Sequence, residues 1–531
     1  MKKGFLQVLQ ILLGVVLGVL LTLVALQASD NRKIRNARYT EWRKLNLILD
    51  EVGRNYVDTI DVTKMTDAAV TAALAELDPH SIYMPPVQLE ASETELAGNF
   101  EGIGIQFNVP NDTAIVLEVI AGGPSEKVGL QPGDRLLKVD TLNIAGVHYP
   151  QDSMVRRLKG PAGTKVTVTV KRDREVIPFE ITRGKIPLHS IDAHFMVNDT
   201  TGYIRLSKFS RTTYQEFSQA SVELLAQGMK RLIFDLRDNT GGYFDQALRL
   251  CNEFLRRGDG MVYMEGLHRK REEYRADGHG LLQDVALTVL INENSASSSE
   301  IFAGAIQDND RGIIVGRRSF GKGLVQEPIY FTDGSGVRLT VARFYTPSGR
   351  CIQKPYSEDY NYDIYKRYAD GEVFSRDSIK LNTEDVHTTA GGRTVYGGGG
   401  IVPDVFVPVD TTRASSFFIQ CNRKATQMRF ASALFDRYRS DLLSIEDYPA
   451  MDRFLQRVDI GAQFLTFAAE KDHIRPEKGE WKETEPYLLP QLKALVARYS
   501  KLGDNAFYKY YLPVDETVRT AIESPSEVTG L

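Results

Sequence analysis

"ALTVLINENSASSSEIFAGAIQDND", residues 286–310, runs from apolar residues through a knot of hydroxyls into a helix-like stretch. A strand, a turn and a helix in that order are the repeating unit of an α/β layered core. The same unit recurs on either side. "GYIRL" (202–206) precedes a helical stretch carrying Tyr214, Phe217, Val222 and Leu225, and "RLIFDLR" (231–237) runs into "DNTGGYFDQALRL". "GIIVG" (312–316) follows as a further strand. Residues 186–411 therefore read as one α/β core. Its serine knot, Ser295, Ser297, Ser298 and Ser299, poses a chemical choice. Serine is among the best helix N-caps, yet one of these hydroxyls is also placed to act as a nucleophile.

Around this core the chain changes character. Residues 5–26, "FLQVLQILLGVVLGVLLTLVAL", are uncharged and apolar, close to the roughly 20 residues that cross a bilayer as a helix. Residues 1–28 thus read as a membrane anchor or signal-like segment, the uncleaved anchor being favoured because the apolar core is long and the nearest candidate for an A-x-A-like site is "LQA" at 26–28. Residues 29–95 repeat apolar positions at helical spacing (Trp42, Leu45, Leu49, Val52, Tyr56, then Val70, Leu74, Leu77) until "LDPHSIYMPP" stops the helix; packing, a linker and dimerisation all fit this region. Residues 96–185 combine "GNFEGIGIQFNV", a Pro-Gly turn and the alternating Val166, Val168 and Val170, the pattern of a compact domain of short strands. Residues 412–531 are helical and polar, without a recognisable motif.

Composition narrows the function. The 531 residues suffice for three or four domains, and 42% hydrophobic with 25% charged residues is ordinary globular usage. A net charge of −4 gives no electrostatic case for nucleic acid. Cys251, Cys351 and Cys421 are too scattered for a disulfide framework or a zinc knuckle. Arg32, Lys33, Arg35, Arg38, Arg43 and Lys44 outnumber Lys2 and Lys3 across the apolar span, which by charge alone places the body in the cytoplasm.

A nucleophilic serine needs a base. None of the eight histidines lies in a G-x-S-x-G elbow or an H-E-x-x-H motif. Lysine is the known alternative. "RRSFGKGLVQEP" places Lys322 after a strand and turn that return the chain toward the serine knot. A lysine base must be neutral, and lowering its pKa from about 10.4 to about 7 costs roughly 4–5 kcal/mol, imposed by burial without an acid. The neighbours Phe320, Gly321, Gly323 and Leu324 carry none. Residues 316–322 also satisfy G-x-x-x-x-G-K, but Gly323 stands where a phosphate loop needs Ser or Thr, and "LVQEPI" is extended rather than helical. Gly241 and Gly242 follow a strand and can expose amides for an oxyanion.

Together these segments resemble the carboxyl-terminal processing (tail-specific) proteases, PDZ-containing serine peptidases. The likeness runs over roughly residues 40–410 and rests on "LDPHSIYMPP", "GIGIQF", "GLQPGDRLLKVD", "GYIRLSKFS", "DLRDNTGGYFDQA", "NENSASSSEIFAGAIQDNDR", "SFGKGLVQ", "RFYTPSGRCIQ" and "GGGGIVPDV". It implies Ser297 as nucleophile, Lys322 as base and Gln326 orienting the lysine. It implies oxyanion donors from Ser298 and from Gly241 or Gly242, with Ser299 and Glu300 capping the helix. The loop Gly102, Ile103, Gly104 and Ile105 would hold a peptide C-terminus, since PDZ domains take peptides as an added strand with backbone amides on the carboxylate. One departure stands out: Leu158-Lys159-Gly160-Pro161 has lysine where many relatives have arginine.

The resulting expectation is a multidomain α/β serine endopeptidase. It has an N-terminal membrane helix and helical region, a PDZ-like domain, an α/β protease core and a helical C-terminal region. It cuts protein substrates near exposed C-termini, requires no metal or organic cofactor and binds no nucleic acid; homo-oligomers are left open. The family's habit overrides the charge count and puts the body outside the cytoplasm, on the periplasmic side of the cell envelope. The rival is a catalytically silent PDZ scaffold or adaptor.

Overall fold

The computed structural model describes residues 43–109, 112–120, 122–356, 360–411 and 415–524. The apolar span at 5–26 and Trp42 lie outside them. Among the described residues no helix is long and apolar enough to cross a membrane.

The chain divides at Leu77/Asp78 into two compact units. In the first, residues 43–55 and Val62–Ala75 are helical. Asp61 caps the second helix by accepting the Lys64 amide at 3.0 Å. Leu49 and Val52 of the expected stripe are half-buried, while Leu45 and Tyr56 stay exposed. Within the region expected to be helical, 29–95, a turn and the strand Ile82–Met84 interrupt the helices before Pro86–Leu96 forms another. Asp78 gathers the amides of His80 and Ser81 (2.8 Å each) and the Ser81 hydroxyl (2.7 Å), and this turn starts the strand Ile82–Met84 in the second unit.

The second unit is built on a six-stranded sheet ordered Ile191–Met196, Thr201–Leu206, Arg231–Asp235, Ala286–Ile291, Ile313–Gly316, Val405–Phe406. Its first pair is antiparallel and the others parallel. Parallel strands persist only where both faces are covered. On one face Phe217, Phe234, Phe254 and Phe302 pack together with the helices Thr213–Ala226, Phe244–Phe254 and Ser298–Asp308. On the other, Tyr203, Ile233, Leu290, Ile313 and Val315 meet Leu512, Val518 and Ala521. The C-terminal region thus supplies the second cover of the parallel sheet, a role its sequence did not disclose.

A second, antiparallel sheet joins Ile82–Met84, Gly336–Tyr345, Gly260–Gly266 and Arg269–Arg275, with Leu324–Tyr330 also paired to Gly336–Tyr345. The PDZ-like domain is a third sheet that begins at the edge strand Ile105–Asn108. There Val166, Val168 and Val170 are buried at every second position, as their alternation predicts. The helix Gln151–Leu158 seals that core with Met154 and Leu158. The C-terminal helices have their own core, including Phe417, Phe435, Phe464 and Leu488, and the PDZ residue Leu117 packs against it.

Candidate active site

In a parallel sheet, the loops leaving the carboxyl ends of the strands share one edge. Three such loops meet here: 236–242 after Arg231–Asp235, 292–297 after Ala286–Ile291, and 317–323 after Ile313–Gly316. Hydroxyls stitch the first two together. Ser295 Oγ donates to the Leu236 carbonyl (2.8 Å), Ser299 Oγ to the Asn239 carbonyl (2.9 Å) and Ser298 Oγ to the Gly242 carbonyl (3.0 Å). Ser299 is thus a cross-loop tie rather than the cap expected of it. Ser297 Oγ donates to none of these carbonyls.

Ser297 sits at the N-cap of the helix Ser298–Asp308 with φ 56° and ψ −113°. A non-glycine residue there is strained by about 1–3 kcal/mol, a cost that surrounding structure must sustain and that clusters at active sites. The ties just described sustain it.

Glu300, fully buried, joins the second and third loops. Its Oε2 accepts the amides of Ser297 and Lys322, both at 2.9 Å. Its Oε1 accepts the Ser319 hydroxyl (2.5 Å) and the Gly321 amide (2.7 Å). Each amide is 2.9 Å from one oxygen, so the backbones of Ser297 and Lys322 lie no more than twice that far apart. Burial raises the Glu300 pKa, and the four donors oppose the rise. The capping role expected for Glu300 is therefore half of what it does.

Lys322 Nζ donates to Gln326 Oε1 at 2.9 Å and makes no hydrogen bond to Ser297 Oγ in this conformer. Gln326 Nε2 donates to the His80 carbonyl at 2.5 Å. Because a carbonyl only accepts, that bond fixes which end of the amide faces the lysine. Among the described residues no carboxylate forms an ion pair with Lys322. Burial, aided by the Arg338 charge, depresses its pKa from 10.5 to about 8 against the opposing pull of Glu300 and Asp78. Nearby Lys354 shows the contrast, since Asp363 pairs with its amine at 3.1 Å.

His80 belongs to the "LDPHSIYMPP" turn. Its imidazole lies 2.6 Å from the Tyr360 hydroxyl. Burial first, and then the Lys322 charge, lower its pKa to about 4, so it stays neutral beside the lysine.

Of the candidate oxyanion donors, the Gly241 amide is already committed to Asn239 Oδ1 at 2.8 Å. Gly241 instead serves as spacing: with φ +98°, a Cβ there would lie 2.8 Å from Ser297 Cβ and 3.0 Å from the Ser298 amide. The Gly242 amide makes no hydrogen bond among the described residues. The Ser298 amide, at the first position of its helix, is likewise left without an intrahelical partner. Helix N-termini favour negative charge. The Ser298 and Gly242 amides are thus the candidate donors left without a hydrogen bond among the described residues, and the difference between the adjacent glycines hangs on the Asn239 side chain.

In the PDZ-like domain, Gly102, Ile103 and Gly104 are buried just before the edge strand that Ile105 opens. The amides of Ile103 and Gly104 make no hydrogen bond among the described residues. Buried, unpaired donors beside an open sheet edge are what a peptide carboxylate requires. Lys159 lies over the Phe100 ring at 5.1 Å, within this domain.

A family model described as peptidase family S41 matches residues 200–362, and a PDZ-domain model matches residues 102–182. A probable CtpA-like serine protease of Staphylococcus aureus (strain N315) is 31% identical over 385 residues, 71% of this chain and 77% of the relative. The chain belongs to peptidase family S41. This S41 peptidase is a serine protease with a PDZ domain, as its likeness to the carboxyl-terminal processing proteases implied. A probable CtpA-like serine protease of Staphylococcus epidermidis (strain ATCC 12228 / FDA PCI 1200) is 30% identical over 348 residues, 64% of this chain and 70% of the relative. Among solved structures, the photosystem II D1 C-terminal processing protease is 27% identical, covering 68% of this chain and 91% of that chain at a TM-score of 0.37.

Proposed function

We propose that Ser297 and Lys322 form the catalytic dyad of an endopeptidase that cuts proteins near C-termini presented by its PDZ domain. Neutral Lys322 takes the Ser297 proton as Oγ attacks the peptide carbonyl. The amides of Ser298 and Gly242 receive the oxyanion. The protonated lysine then gives its proton to the leaving amine, and water, deprotonated by the same lysine, releases the acyl group. Proton transfer needs the amine within about 2.6–3.2 Å of Oγ. The two backbones, tied through Glu300, lie close enough for rotation of the lysine side chain to bring it there.

The observation that carries this reading is a buried lysine without an ion-paired acid among the described residues, with pKa near 8, on a loop sharing one carboxylate oxygen with a strained serine. The test is cleavage of an unfolded protein by the parent and by Ser297→Ala and Lys322→Ala. Activity in the parent alone is expected; cleavage surviving in both variants overturns the dyad, and an inert parent points to a scaffold. For location, the apolar run at 5–26 and the family's habit support an envelope-anchored protein with its body outside the cytoplasm. Externally added protease should reach the catalytic body in cells whose inner membrane is intact.

A further inference from the structure

Arg237 links the C-terminal region to one of the catalytic loops. Arg237 lies between the strand Arg231–Asp235 and the Gly241-Gly242 turn. Its guanidinium donates to Asp235, with Nη2 at 2.6 Å from Oδ2 and Nε at 2.9 Å from Oδ1. It also grips Asp515, with Nη1 at 3.0 Å from Oδ1 and Nη2 at 2.7 Å from Oδ2. Asp515 is 278 residues further along the chain and caps the helix Glu516–Glu523.

Charge balance explains the second acid. Asp235, fully buried, also accepts the Tyr203 hydroxyl (2.7 Å) and Arg205 Nη1 (3.0 Å). Two guanidiniums therefore converge on one buried carboxylate. Arg205 has further acids beside it, Asp192 and Asp238, each at 3.5 Å. For Arg237 the additional acid is Asp515. Buried charges left without a partner are strongly unfavourable. Downstream of Arg237 the backbone is pinned stepwise: the Asp238 amide donates to Asn292 Oδ1 (2.9 Å), Asn239 Nδ2 to the Leu206 carbonyl (2.9 Å), and the Gly241 amide to Asn239 Oδ1.

We infer that Asp515 is a positioning residue for the oxyanion-binding turn, making the C-terminal helical region a working part of the protease. This rests on reading Ser298 and Gly242 as the oxyanion donors. Held by Asp235 and by Asp515, the Arg237 side chain fixes where the 236–242 loop leaves the sheet, and with it the direction of the Gly242 amide. Such donors act only within about 2.7–3.1 Å of the developing charge, and a displacement of about 1 Å costs on the order of a hundredfold.

The experiment uses the full chain. Asp515→Asn keeps a capping side chain of the same size but removes the charge that Arg237 grips. It should lower kcat roughly tenfold to a hundredfold, further than the accompanying loss of thermal stability explains, while KM for a peptide with a free C-terminus stays near parental. Asp515→Glu should restore most of the rate. A parental kcat in Asp515→Asn overturns the inference, as does a loss of activity that only tracks unfolding or a rise in KM. Ser297→Ala, assayed alongside, separates the two levels. If it still cleaves, the reading of the site itself fails; if it is inert while Asp515→Asn is parental, only the role of Asp515 fails.

Discussion

The backbone amides of Ser297 and Lys322 donate to one oxygen, Glu300 Oε2, at 2.9 Å each. The proposed nucleophile and base are therefore registered through the main chain rather than through a direct contact of their side chains. Whatever moves one loop moves the other, while the Lys322 amine is held separately, by Gln326.

Glu300→Gln tests that registration. The four donors facing Glu300 require an acceptor on both sides, and a glutamine presents its NH₂ to one of them. At least one buried donor loses its partner, at about 1–3 kcal/mol each. Denaturant unfolding should show a loss of that size, and kcat should fall further than the unfolded fraction explains. A fully active, parentally stable variant would remove Glu300 from the account.

As the proposed base, Lys322 should set the pH dependence of activity. With a pKa near 8, roughly a tenth of Lys322 is neutral at pH 7. The rate constant kcat/KM should rise about tenfold per unit below that point and level off above it. The Arg338 charge helps depress this pKa, so Arg338→Ala should move the limb to higher pH. A limb unmoved by this change would locate the titrating group elsewhere.

The same shift carries a stability signature. The folded pKa is depressed from 10.5 to about 8, so the unfolded chain binds more protons between those values and stability rises with pH across that window. Below about 8 both states are protonated and the whole penalty of a buried ammonium is present. Lys322→Met, which removes the penalty, should gain most over the parent at pH 7, and its advantage should shrink as pH climbs toward 10.5. A constant difference would mean that the amine titrates normally.

At the PDZ loop the discriminating variant is Gly104→Ala. Gly104 has φ +77°, and a Cβ would meet Ile186 Cδ1 at 2.9 Å. Both strain and crowding should displace the unpaired amides of Ile103 and Gly104. Peptides ending in a free carboxylate should bind more weakly by fluorescence anisotropy, whereas the same peptides amidated at the C-terminus, already weak for the parent, should change little. Equal losses for both would argue against carboxylate capture.

How far these features were legible in the sequence follows from the range of the interactions involved. The strands of the catalytic sheet were legible because "RLIFDLR", "ALTVLIN" and "GIIVG" are apolar runs bounded by turn residues, a local pattern. Lys322 stood out as a candidate base because its local stretch carries no acid, whereas Ser297 was singled out from the neighbouring serines only by the family resemblance. Their partners were not legible. Glu300 read as a cap because its second duty needs a loop that arrives some twenty residues later. Asn239 decides between the Gly241 and Gly242 amides through the direction of one side chain, which no spacing encodes. Val518 and Ala521 belong to a short helix like many others in sequence, and only the fold shows that their face closes the parallel sheet. His80 lies far upstream in the chain from the glutamine that uses its carbonyl.

The seam between the PDZ domain and the C-terminal helices gives a final prediction. Arg135 forks onto Asp436 (3.2 and 2.5 Å), and Arg439 donates to the carbonyls of Pro132 and Gly133 at 2.9 and 3.1 Å. Gly133 has φ +81°, and a Cβ there would run into the Phe435 ring. The Arg135–Asp436 pair is about a third exposed on each side (32% and 32%), so its removal by Arg135→Ala should cost at most about 1 kcal/mol. Gly133→Ala imposes a backbone that alanine resists and overpacks a full ring contact, worth about 1–3 kcal/mol from crowding alone. Denaturant unfolding should therefore rank Gly133→Ala well below Arg135→Ala. Hydrogen exchange in Gly133→Ala should quicken along Arg135–Val139 and Thr426–Arg437 together, because the two elements are seated on each other. The opposite ranking would mean that the charged fork, and not the close fit of glycine against Phe435, holds the PDZ domain to the C-terminal helices.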